Sequence, residues 1–152
     1  ILDIEIPSMM EETSAEAVEK VELSEGSEHI IKMLNSGEGG QMIFEPAVIK
    51  VSVGDTIHFK ATDAAHNSVS VDGMVPVGAS SWASQLSQDI SITLDTEGVY
   101  VYQCDPHLIM AMVGVIQVGE AVNMDEIKSA ASSYSSNFLM NNDRLQSYLS
   151  QL

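Results

Sequence analysis

The chain has 152 residues, about one domain's worth, and 45% of them are apolar, enough for a real core. Its 22 acidic residues against 6 basic ones give a net charge of −16, which argues against nucleic acid or an anionic membrane surface as a partner, since both need a basic footprint. No apolar run approaches the ~20 residues that span a bilayer, and one cysteine excludes an internal disulfide, a four-cysteine zinc site and an iron–sulfur cluster held by this chain alone.

The chain opens at Ile1 without a Met, as expected of a processed or trimmed protein, and a signal peptide removed on export fits that start. Residues 1–28 hold nine acids and one base, Lys20, and read as an acidic extension outside the core. Within it, Thr13-Ser14-Ala15-Glu16 resembles a capping box opening a short helix, with Ala17, Val18, Val21 and Leu23 as its apolar positions. The domain itself is expected over residues 29–152.

His29–Leu34 reads as a strand and Asn35–Gly40 as a turn. Met42–Phe44 and Val48–Val51 flank Pro46, which predicts an edge or bent strand. Thr56–Lys60 alternates, with Ile57 and Phe59 on one face. Residues 72–87 are irregular. Ile90–Leu94, Val99–Cys104 and Val113–Val118 complete the set of short strands separated by turn signals, the pattern of an all-β sandwich or barrel. Beyond it, Asn123 with Glu126 predicts a capped helix whose Met124, Ile127 and Ala131 share a face. Leu145, Tyr148, Leu149 and Leu152 predict a second helix, and both are expected to pack back on the sandwich.

The chemistry concentrates in Cys104-Asp105-Pro106-His107-Leu108-Ile109-Met110-Ala111-Met112, a loop between two predicted strands, with His66 upstream after another strand. Two imidazoles and a thiolate in a near-trigonal plane, with a long axial thioether, suit both copper(I) and copper(II), so neither oxidation state demands a large rearrangement. Zinc favours four strong ligands, and a thioether is a poor one. Singly, each residue has an ordinary structural reading: Cys104 as a buried thiol, His107 as a loop residue, Met110 and Met112 as core filler. Their joint order and spacing between strands favours a mononuclear copper site. The other two histidines, His29 and His58, read as solvent-facing.

A His followed by Asn, then Cys-x-x-His-x-x-x-x-Met between the last strands, resembles the blue-copper or cupredoxin family. Over about residues 29–150 the match extends to the pseudoazurins, through Met42–Ala47, Gly54-Asp55-Thr56, His66-Asn67, Met74–Ala79, Cys104–His107, Met110–Met112 and the two C-terminal helices. The resemblance implies a Greek-key β-sandwich or barrel with type 1 copper held by His66, Cys104 and His107, and by Met112 axially. It also implies that the Asn67 backbone N–H faces the Cys104 sulfur while its side chain braces the loop. Pro106 removes a second such donor, and Met42 lies near the ring of the loop histidine. Pro46, Pro76, Val77, Leu108 and Met110 are expected to frame an exposed His107 edge.

The resemblance further implies a soluble, monomeric, periplasmic one-electron carrier working with a cytochrome c, a copper nitrite reductase or a nitrous-oxide reductase, without substrate turnover of its own. The chain departs from the pattern where pseudoazurins carry lysines. Ser36, Ala64 and Gln103 stand there, and Asp105 adds a negative charge, so a partner with a basic face is expected, or an acidic surface adapted to high salt. A carboxylate beside His107 is also expected to favour its detachment and protonation in the reduced protein at mildly acidic pH. The rivals are a copper store or chaperone and a fragment of a multicopper oxidase or nitrite reductase. The His-x-His and Cys-His pairs of the latter are absent.

Overall fold

The first strand, β1 (Glu28–Gly37), turns His29, Ile31 and Met33 inward and Glu28, Ile30 and Lys32 outward, the period-2 alternation of a half-buried strand. The computed structural model describes residues 19–152. The capping-box segment at Thr13–Glu16 lies outside them. β1 runs three residues beyond the predicted strand, and a two-residue turn, Glu38-Gly39, carries it into β2 (Gly40–Glu45), with Gly37 opposite Gly40. The chain then changes sheets at Pro46 to enter β3 (Val48–Val51), so the stretch around that proline forms two edge strands rather than one.

β4 (Thr56–Lys60) buries Ile57 and Phe59 completely, as their alternation predicts. β5 is the short Val69–Ser70, β6 Ile90–Thr93, β7 Gly98–Gln103 and β8 Val113–Val118. One sheet has the order β2-β1-β4-β6 and the other β3-β8-β7-β5. Both are mixed: β1 pairs antiparallel with β2 and parallel with β4, and β8 pairs parallel with β3 and antiparallel with β7.

β7 explains the arrangement of the core. It is covered on both faces, which is why it reads as an unbroken apolar run. Tyr100 and Tyr102 point between the sheets and join Phe44, Phe59 and Trp82, with edge-to-face contacts of 4.7 Å between Phe44 and Tyr102 and 4.9 Å between Phe59 and Tyr102. Val99 and Val101 point the other way, toward Ile127 and Ala131 of α1 (Met124–Tyr134) and Leu145 and Leu149 of α2 (Arg144–Leu149). Each large apolar side chain buried there contributes roughly 1.5–3 kcal/mol.

Three local expectations are corrected. Asn123 does not cap α1 with its side chain. Its amide instead clamps Val99, accepting from the Val99 N–H at 2.7 Å and donating to its carbonyl at 3.0 Å, which joins the helix start to β7. His29 is buried, because the alternation of β1 points it inward with Ile31 and Met33, and it donates to Asp55 Oδ2 at 2.8 Å. His58 is only half-exposed and is held between Glu28 and Ser91 on the outer face of the sheet. In the acidic extension, Val21 N–H bonds to the Gln151 carbonyl at 2.8 Å and Ser24 N–H to the Lys50 carbonyl at 2.9 Å, so the chain from Val21 to Ser24 runs along the body.

Candidate metal centre

Two elements carry the ligand-type side chains. β7 ends at Gln103, and Cys104 follows at an extended φ,ψ, fully buried, before Pro106 starts a short 3-10 turn over Asp105–Met110. The turn ends at Ala111, whose φ of 59° lies in the left-handed region and reverses the chain into β8. Met112 is fully buried in the same apolar cluster as Cys104, and its carbonyl accepts the Cys104 N–H at 2.9 Å. His66 arrives from the loop after β4 and is fully buried.

The three strongest donor atoms face one another. His66 Nδ1 and His107 Nδ1 are 3.2 Å apart, Cys104 Sγ is 3.4 Å from His107 Nδ1, and Cys104 Sγ is 3.6 Å from His66 Nδ1. The point equidistant from these corners lies about 2.0 Å from each, close to usual metal–imidazole distances and slightly short of a usual metal–thiolate one. Among the described residues this is the one group of three or more His, Cys, Asp or Glu side chains able to hold a metal ion. The donor set, two imidazoles and a thiolate with a thioether next in the core, fits copper and no oxygen-seeking cation.

The surroundings orient these donors. His66 Nε2 donates to Asn35 Oδ1 at 2.8 Å, which fixes the proton on that nitrogen and leaves the Nδ1 lone pair facing inward. Asn35 in turn is held by its own N–H to Asp63 Oδ2 at 2.7 Å. The sequence reading missed this residue because Asn in Asn-Ser-Gly is an ordinary turn signal, and only the pairing of β1 with the loop after β4 brings it to His66. Asn67 is buried. Its Oδ1 accepts the Asp105 N–H at 2.8 Å, and its Nδ2 donates to Asp105 Oδ2 and the Ser84 carbonyl, both at 3.3 Å.

Burial disfavours charge on both sides of the triangle. It pushes the Cys104 thiol up; the backbone N–H groups of Asn67 and His107 oppose this, and the Asp105 charge adds to it. Burial, with the neighbouring His107 charge, pulls His66 down from its ordinary value against the opposite pull of Asp63, so His66 stays neutral and ready to ligate. The Asp105 carboxylate itself is exposed and takes hydrogen bonds from Gln103 and Asn67.

The residues expected to frame His107 do not converge. Leu108 and Met110 are in the turn, half-buried beside it. Pro76 is buried against Gly98, at the opposite end of β7 and roughly 20 Å from Cys104 at ~3.3 Å per strand residue, with Val77 fully exposed next to it. Pro46 lines a groove with Glu38, Tyr148 and Gln151 at the bend between sheets. The apolar surface beside the ligand turn comes instead from Ile109, Leu139 and Met140, 51%, 78% and 47% exposed, with the Ile109 carbonyl accepting the Leu139 N–H at 2.7 Å. The signal for it was the Phe138-Leu139-Met140 run, an apolar triplet between the helices.

Residues 31–119 match the family of copper binding proteins described as plastocyanin/azurin. Pseudoazurin of Paracoccus pantotrophus is 41% identical over 103 residues, 67% of this chain and 71% of that protein. The crystal structure of pseudoazurin from Methylobacterium extorquens AM1 superposes with a TM-score of 0.65 at 42% identity, covering 67% of this chain and 84% of that one. A Sinorhizobium pseudoazurin superposes at 0.67 with 37% identity, over 80% of this chain and 98% of that one. With the His-Cys-His triangle at the head of such a sandwich, the chain belongs to the plastocyanin/azurin family of copper-binding proteins, as a pseudoazurin-like type 1 copper electron carrier.

Proposed function

We propose that this protein is an exported, periplasmic carrier that passes single electrons through the His107 edge to a redox partner presenting a basic rim, such as a cytochrome c. Copper bound between His66, Cys104 and His107 supplies a Cu(I)/Cu(II) couple. Met112 stands as the weak axial donor, supported by its burial with Cys104 and by its place as the first residue beyond the turn. Asn67 and Pro106 shape the loop around the sulfur, and Met42 packs at the margin of the same core.

The observation that carries this reading is the triangle itself, with edges of 3.2–3.6 Å already the size of a three-coordinate site. Side chains that need not move keep the cost of changing oxidation state small, which is what a carrier requires and a copper-releasing store does not. His107 is half-exposed while His66 and Cys104 are buried, so His107 offers the shortest route from the centre to a partner.

The partner's character follows from the charges around the turn. Asp105 is exposed in the turn, Asp63 is half-buried and bonded to Asn35 beside His66, and Asp143 is exposed next to Arg144. The nearby base, Arg144, is turned inward onto backbone carbonyls. Such a surface attracts a basic face and repels an acidic one.

Two measurements test the proposal. Copper(II) added to the protein is expected to give an intense visible absorption and a type 1 EPR signal, both lost in Cys104→Ser; a colourless oxidised complex overturns it. Electron transfer to a basic cytochrome c is expected to slow as salt is raised from about 0.01 to 0.1 M, where the screening length shrinks from ~30 to ~10 Å. A rate that rises with salt refutes the basic partner while leaving the copper site standing.

A further inference from the structure

Arg144 opens α2, yet its side chain leaves the helix and reaches the copper end of the sandwich. Nη1 donates to the Met42 carbonyl at 3.0 Å, to the Ala111 carbonyl at 3.2 Å and, more weakly, to the Met110 carbonyl at 3.5 Å. Nη2 donates to the Gln41 carbonyl at 3.2 Å. One guanidinium thus ties α2, β2 and the end of the ligand turn together, across sequence separations of 102 and 33 residues. Among the described residues it forms no ion pair, so its donors are committed to neutral backbone acceptors.

Two of those acceptors belong to residues in an unusual backbone state. Met42 has φ 51° and Ala111 has φ 59°, both in the left-handed region that a residue bearing a side chain rarely adopts without support. Ala111 immediately precedes Met112. Its left-handed turn is what directs Met112 back into the core beside Cys104, in register for the Cys104 N–H to reach the Met112 carbonyl. The Met112 N–H bond to the His107 carbonyl and the Arg144 bond to the Ala111 carbonyl grip the two sides of one planar peptide group, and the Ala111 N–H bond to the Leu108 carbonyl and the Asn141 Nδ2 bond to the Met110 carbonyl hold the group before it. Arg144 anchors that peptide from the side opposite the turn, and a planar fork is the side chain able to hold several carbonyls at once.

We infer that Arg144 is a positioning residue for the copper site: it locks the left-handed backbone at Ala111 and Met42 and so sets the placement of Met112 relative to the His66–Cys104–His107 plane. The inference rests on the copper-carrier reading above. It also gives the C-terminal helices a task at the metal site, since α2 delivers the guanidinium.

The test uses Arg144→Gln and Arg144→Lys with the full chain, in two forms. In the copper-free protein, amide hydrogen exchange at Ala111 and Met112 is expected to quicken by about tenfold or more in Arg144→Gln, while Val101 and Val115 in β7 and β8 keep their protection. In the copper-loaded protein, the intensity ratio of the two main visible bands and the rhombicity of the EPR signal are expected to change. Arg144→Lys, which keeps the charge but not the fork, is expected to show the same changes to a smaller degree. Unchanged exchange and unchanged spectra in Arg144→Gln overturn the inference. So does loss of protection at Val101 and Val115 in both variants, because Arg144 would then support the domain as a whole. A wild-type protein without a type 1 spectrum refutes the carrier reading instead, and the copper-free exchange experiment still decides whether Arg144 holds the turn.

Discussion

Replacing Asn67 with Ala removes one buried side chain that joins the two stretches supplying the ligands. The Asp105 N–H bond to Asn67 Oδ1, 2.8 Å long, carries most of the effect, because the variant leaves that donor unpaired beside the buried thiol. An unsatisfied donor of this kind costs about 1–3 kcal/mol. The Nδ2 bonds to Ser84 and Asp105 are longer, at 3.3 Å, and the Asp105 carboxylate is exposed to water, so each adds ~0.5 kcal/mol. Destabilisation of about 2–4 kcal/mol is expected, a fall in Tm of about 10 °C for a domain of this size. Thermal unfolding of the copper-free protein followed by circular dichroism measures it. Asp105→Ala is the control, since it keeps the backbone N–H and loses only the 3.3 Å bond from Asn67 and the solvent-exposed 2.9 Å bond from Gln103; it is expected to cost about 0.5–1 kcal/mol. Equal effects in the two variants, or a Tm of Asn67→Ala within 1–2 °C of wild type (roughly 0.5 kcal/mol by the same conversion), would refute the assignment of the loop's rigidity to this amide.

Three further outcomes follow from the body of the sandwich. Tyr102 is fully buried, and its hydroxyl has no hydrogen-bond partner among the described residues, so Tyr102→Phe is expected to hold stability level or raise it by about 1 kcal/mol in urea unfolding. Gly114 lies so close to the Tyr102 ring that a Cβ would overlap it, and the ring is locked among Phe44, Phe59 and Trp82; Gly114→Ala is expected to cost about 3 kcal/mol, read as a lower urea midpoint at an unchanged slope. Burial works against the charge of Asp55, but the hydrogen bond from His29, the Ser52 N–H and the His29 charge outweigh it and hold Asp55 below its ordinary 3.8. Its stabilising contribution is therefore present above pH 3.8 and is lost as pH falls through the lower folded-state value, so wild type should lose more stability than Asp55→Asn between pH 5 and pH 3.

Most of the strand pattern was legible because alternation and turn signals report burial directly: Ile57 and Phe59, or the stretch Val113–Val118, lie where their spacing predicts. The donor triangle was legible because Cys104 and His107 stand three residues apart between two strands, in an order and spacing with the upstream His66 that chance core residues seldom give. What escaped shares a different physical character. Asn35 and Arg144 act through atoms contributed by segments far along the chain, and nothing in their own neighbourhoods distinguishes them from a turn residue and a surface base. His29 was misjudged because a polar residue at the start of a strand usually faces water, and its partner Asp55 lies 26 residues away. Pro76 and Val77 were misplaced for the same reason: the loop that carries them is irregular, so no periodicity assigns it to either end of the sandwich.

The supports of the triangle come from separate elements of the fold, and that spread bears on its function. His66 is held by Asn35 from β1, Cys104 by β7 and the Met112 carbonyl, and the end of the turn by Arg144 from α2. Asn67 ties the His66 segment to Asp105. A change of one unit of charge at a bound copper would pull on all three donors together, and the contacts to β1, β7 and α2 would share that load through the Cys104–Met112 and Asn67–Asp105 bonds. A site braced in this way resists the geometry that either oxidation state would choose alone. The acidic rim is joined to these supports: Asp105 accepts hydrogen bonds from Gln103 and Asn67, and Asp63 accepts the N–H of Asn35, the residue that holds His66, so the charges that face a partner also brace the site.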